Sequence, residues 1–201
     1  KKLFIVMITL LLCSCVNNHK SLETHKQTSR VNQDTVAKYT PPESHTEEYI
    51  NRICKRVTLV SNIPATNYNF RVIKTEELSL EIDKQTSTVK ISQGILEQLK
   101  DEAELAAVLL LSTLRIENLD NVDREAATLL SRAGYDPQAM LDLQEQYFYT
   151  ANSNKTVSHW MRVIYPTVPS AGMITSNKIM LQNMPKGLTR DEDDYKKQIH
   201  E

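Results

Sequence analysis

The run Asp101–Ile116, DEAELAAVLLLSTLRI, constrains this chain more than any other stretch. Asp101 followed by Glu104 is a capping-box start, in which an N-cap carboxylate takes a first-turn amide and a second acid reaches back. Behind it Ala103, Leu105, Ala106, Ala107, Val108, Leu109, Leu110, Leu111 and Leu114 make a helix apolar on nearly every side. Such a helix belongs in a core and has to be wrapped by other elements. The pattern predicts a buried central helix with the rest of the chain arranged around it.

The 201 residues amount to one domain once the ends are set aside. A hydrophobic content of 40% supports a core, and four Gly with three Phe argue against a turn-rich barrel. The expected fold class is α+β and mostly helical, with a small three-stranded sheet packed on a helical core. A net charge of −1 without a basic stripe gives no footing for a nucleic-acid partner.

Lys1-Lys2 followed by the apolar run Leu3–Leu12 has the form of an export signal, too short to span a bilayer. Leu12-Cys13-Ser14-Cys15 resembles a bacterial lipobox, with residues 1–14 as signal peptide and Cys15 as the lipid-modified residue. A plain signal peptide with two incidental cysteines is the alternative. No Asp stands at the second mature position, so by resemblance to Gram-negative lipoproteins the expected address is the periplasmic face of the outer membrane. Residues 15–42 are polar and unpatterned, so burial cannot offset their ordering entropy, and a disordered tether is expected there. His19 and His25 lie in it. Cys54 is then the one free thiol, in an apolar helical setting where packing is expected rather than reactivity.

Within the expected domain, residues 43–185, Ser44-x-x-Glu47 signals a helix running to about Leu59. Phe70–Ile73 is an expected strand, and Leu78–Ile82 with Thr88–Ile91 alternate at period two, as a hairpin does. Ser92 is placed to cap a helix from Gln93 to Leu99. Past the central helix, Gly134 is an expected C-cap, Pro137 opens a further helix, and Met140, Leu141, Leu143, Tyr147 and Phe148 give it an apolar face. Residues 186–201 are an expected charged, solvated tail.

DEAELAAVL, followed at a distance by RAGYDPQAM, resembles the gluzincin zinc metallopeptidases of the HtpX/BepA/LoiP type. Their central helix ends in HExxH, where two His at i and i+4 hold Zn²⁺ and the Glu activates water. Here the matching positions are Leu111, Ser112 and Arg115. Counted back from RAGYDPQAM, the family's ExxAD places its Asp at Asp123 and its ligand Glu at Leu119. The resemblance therefore implies that the segment between the two motifs is deleted, which could fuse the two helices. A later trace, Tyr165–Ser170, resembles the family's STHPS with Val168 at the His position.

Zinc is the cofactor the family implies, yet no cofactor is expected, because the ligand positions are apolar or cationic. Ser112 lacks a base, since Arg115 stays protonated. Asp123 is expected in an ion pair with Arg124 or Arg115, or as a cap. Glu117, Asp120, Asp123 and Glu125 form a solvated acidic face rather than a cation site. His159-Trp160 belongs to a core edge. The expected function is that of a catalytically inactive binding or scaffold lipoprotein, anchored to the membrane through Cys15. By the resemblance its setting is outer-membrane protein quality control, with an envelope protein or β-barrel precursor as partner. Peptide would be taken along an edge strand at Leu78, Leu80 and Ile82. The alternatives are an active periplasmic metalloendopeptidase with a non-standard site, and a structural lipoprotein without peptide affinity. Five His with no i, i+4 pair weigh against the first of these.

Overall fold

A computed structural model describes residues 43–61, 68–117, 122–153 and 155–200. The signal, the tether, Cys15 and Leu119 lie outside the described residues. The chain is α+β and mostly helical, with a three-stranded mixed sheet.

Helix α1, His45–Leu59, starts at Ser44, whose hydroxyl accepts the Glu47 amide at 3.2 Å. Strands β1 (Asn69–Ile73), β2 (Leu80–Asp83) and β3 (Thr88–Ser92) follow. The sheet order is β1-β3-β2, so the last strand is central. β3 pairs parallel with β1, Phe70 opposite Val89, and antiparallel with β2, Leu80 opposite Ile91. Val89, Ile91, Phe70 and Leu80 are buried while Glu81, Asp83 and Lys90 are exposed, so one face of the sheet meets the helices and the other meets water. Ser92 closes the hairpin: its amide donates to the Ser79 carbonyl, and its hydroxyl accepts from Ser79 and Ile95, capping α2, Gln93–Gln98.

The central helix α3 spans Glu102–Ile116, and every residue from Glu102 to Leu114 is buried. Each fully buried Leu stabilises the fold by about 1.5–3 kcal/mol, so this single element carries much of the core. Its cap departs slightly from the expected box. The Asp101 carboxylate accepts the Glu104 amide at 2.8 Å, but Glu104 reaches past the cap to the Lys100 amide, also at 2.8 Å. Glu47 does the same at α1, taking the Glu43 amide at 2.7 Å.

Around α3 lie α4 (Val122–Arg132), α5 (Gln138–Asn152), α6 (His159–Ile164), α7 (Ala171–Gln182) and α8 (Glu192–His200). α3 and α4 pack on each other as two separate helices, not as the one fused helix that the resemblance allowed. Gly134 does end α4: at φ 85° it lets the Tyr135 amide reach the Leu130 carbonyl at 2.9 Å. Pro137 sits one place earlier than expected, at the N-cap of α5. The expectation of a solvated tail also needs correction. Tyr195 and Ile199 of α8 are buried, and the Tyr195 hydroxyl donates to the Leu96 carbonyl.

Candidate functional site

The positions that would hold zinc in a gluzincin sit on the last turns of α3. Leu111 is fully buried, so water has no path to it. Ser112 is equally buried, and its hydroxyl donates to the Val108 carbonyl at 2.8 Å, one turn back. That bond satisfies the donor locally, and no base stands against it. Arg115 turns outward and donates from Nε to the Ile164 carbonyl at 3.0 Å. A guanidinium at the end of α6 is where a cation complements the helix dipole. These residues do not fit Zn²⁺, which needs deprotonated N, S or O ligands around an open position.

What surrounds Arg115 is a polar cluster that sequence reasoning only half anticipated. Asn177 of α7 donates from Nδ2 to the Gln144 side-chain oxygen at 2.8 Å and to Asp123 Oδ2 at 3.5 Å. Tyr165 is buried beside them, its hydroxyl donating to the Met140 carbonyl at 3.3 Å. Burial pushes the Tyr165 pKa well above its ordinary value; the charge of Asp123 adds to this and that of Arg115 opposes it. Among the described residues Asp123 is within ion-pair reach of neither Arg115 nor Arg124; its carboxylate accepts a long bond from Asn177 instead. Gln144 and Asn177 carry no signal in the sequence, since a lone amide in a helix has none of its own, and Tyr165 stands out there only as the start of the Tyr165–Ser170 trace.

The other end of α3 is a charge network built on the RAGYDPQAM stretch. Glu102 is buried and accepts hydrogen bonds from the hydroxyls of Tyr49, at 2.7 Å, and Tyr135. Burial raises both tyrosine pKa values, and the bonds to the Glu102 carboxylate raise them further, so both remain donors. Arg56 lies 4.3 Å over the Tyr135 ring and donates to the Ala133 carbonyl at 2.8 Å. Arg190 bonds Asp101 at 2.7 Å and Asp142 at 3.0 Å, joining the start of α3 to α5 and to the chain leading into α8. Glu102, Asp191 and Asp194 bring carboxylate oxygens within 4.8 Å of one another. Glu102 already spends both oxygens on tyrosines, so the motif stands here as a structural junction.

The expected edge strand is an edge strand. Leu80 is buried while Leu78 and Ile82 are half-buried, so these side chains face the core and not a ligand. Ser92 pairs with Ser79 across the ladder, and Ser87 turns its carbonyl the other way, to Asn69 of β1. By strict alternation Glu81 and Asp83 turn their backbone groups to β3, while Leu80 and Ile82 turn theirs outward. α6 packs against both β2 and α3.

Val168, at the auxiliary position, is exposed and helps line an open pocket of about 640 Å³ between α5, α6 and the segments that flank α6. Of the pair His159-Trp160, Trp160 is buried and His159 is exposed. Cys54 is buried, and that burial pushes its thiol up to about 12, so it packs and does not react.

No family model matches the chain, and no curated protein sequence gives a significant match. Among the described residues no helix is long and apolar enough to cross a membrane. Chemically, the arrangement offers a sealed helix core, a polar cluster without a nucleophile, and one strand edge with outward backbone donors and acceptors.

Proposed function

We propose that this chain is a catalytically inactive, metallopeptidase-like lipoprotein that binds extended polypeptide by strand addition to β2. Its lipid would sit on Cys15 and hold the domain at the periplasmic face of the outer membrane. Its role there would be as a binding or scaffold module in envelope-protein quality control, with a β-barrel precursor as the kind of chain it takes. The observation that carries the binding mode is the edge position of β2 with the outward backbone of half-buried Ile82, since an unpaired ladder group is a template for another strand, while Leu80 is covered. The filled Leu111 position and the Arg115–Ile164 bond support the loss of catalysis.

The test is Ile82→Pro. The Ile82 amide points away from β3, so proline there removes an outward donor while leaving the hairpin bonds in place. Binding of an unfolded β-barrel segment should fall about tenfold or more, the loss of one or two hydrogen bonds in a strand register. Circular dichroism should show the fold retained. Undiminished binding by a folded Ile82→Pro protein would remove strand addition as the mode. Incubating the full chain with an unstructured polypeptide, with and without chelator, tests the inactive state: chelator-sensitive cleavage contradicts it.

A further inference from the structure

The pocket beside α6 has a chemistry that the strand edge lacks. Tyr147 of α5 with Val157, Pro166 and Val168 supplies an apolar wall, and Lys155 with Arg162 supplies two cations. Both cations are exposed, and among the described residues neither is within ion-pair reach of a carboxylate. Among the described residues no acidic side chain lines the pocket. A volume of about 640 Å³ is that of a site for a small ligand or a few side chains. Some cations on this molecule are ion-paired, as Arg190 is with Asp101 and Asp142, Arg71 with Glu47 and Lys178 with Glu145. Two unmatched cations against an apolar wall complement a carboxylate carried next to a hydrophobic group.

We infer that this pocket binds an acidic side chain flanked by an apolar one, presented by the same extended polypeptide that adds to β2. This rests on the strand-addition reading, and α6 makes the link. That helix packs against β2 and contributes Arg162 to the pocket, and its six residues span only about 9 Å. Nine ångströms is about three residues of extended chain, so a strand laid on β2 can run on along α6 toward the pocket. The edge would supply sequence-independent affinity through backbone bonds, and the pocket would supply preference.

The experiment measures fluorescence anisotropy with the full chain and two labelled, end-blocked peptides, identical except that a central Leu-Glu-Phe in one is Leu-Gln-Phe in the other. The acidic peptide should bind about tenfold more tightly at low salt, with the advantage shrinking as salt is raised. Lys155→Glu with Arg162→Glu should reverse the preference, and Lys155→Ala should reduce it; both sites are exposed, so the fold tolerates the changes. Equal affinity of the two peptides for the unaltered protein overturns the inference while leaving strand addition standing. Loss of both peptides on Ile82→Pro, with the acid preference otherwise present, supports both readings together. Absence of binding by either peptide removes both readings. Myristate binding with neither peptide bound overturns the peptide assignment and gives the pocket to a lipid carboxylate.

Discussion

Arg115 donates from Nε to the Ile164 carbonyl at 3.0 Å, fastening the end of the central helix to the end of α6. The bond holds the two helices in place. Arg115→Ala should leave the buried Ile164 carbonyl without this partner and cost about 1–2 kcal/mol. Urea denaturation is the measurement, and the expected change is a lower midpoint at an unchanged slope. A midpoint equal to that of the parent would mean that the bond contributes nothing to stability.

Glu47 gives a pH-dependent outcome. Burial by itself would raise its pKa, but the amides of Glu43 and Val72 and the Arg71 guanidinium outweigh that and hold it below its ordinary 4.5. A carboxylate with a depressed folded pKa stabilises fully above the unfolded value, and that share is lost as pH falls through the folded value. Glu47→Gln should therefore be less stable than the parent at neutral pH, by about 1–3 kcal/mol. The gap should close as the pH is lowered beneath 4.5. Thermal melts at a series of pH values check this, and a gap that stays constant into acid would contradict it.

Gly94 tests the packing of the loop before β2. A Cβ at this residue would meet the Glu76 carbonyl oxygen at 2.1 Å, and the Gly94 amide itself donates to Thr75 at 2.9 Å. Backbone stands in the way, so Gly94→Ala must shift the start of α2 or the segment over it. The expected cost is about 2–3 kcal/mol, read as a lowered melting temperature. A melt unchanged from the parent would show that the loop yields freely.

The central helix was legible because its residues are apolar on every side, a pattern that only burial satisfies. The caps at Ser44, Asp101 and Ser92, and the turn at Gly134, were legible because each depends on one residue type acting locally. The hairpin followed from alternation, though the position of β3 between the other strands did not, since a pairing partner is not written in a strand's own residues. α7 escaped notice because only Ile174, Asn177 and Leu181 of its twelve residues are buried, too few for a face to stand out. The docking of α8 is not legible because Tyr195 and Ile199 are two apolar residues in a charged stretch. The polar cluster was legible only in part for a different reason: Arg115, Gln144, Tyr165 and Asn177 come from α3, α5, the end of α6 and α7, and meet only once the fold has formed.

Arg190 also bears on how this domain can close. The acids crowding the start of α3 gain their shared cation, and α2 gains Tyr195, across sequence separations of 89 and 99 residues. Contacts of that reach form only once a large loop has been drawn shut, so their loss would leave an open seam beside the most hydrophobic helix of the domain.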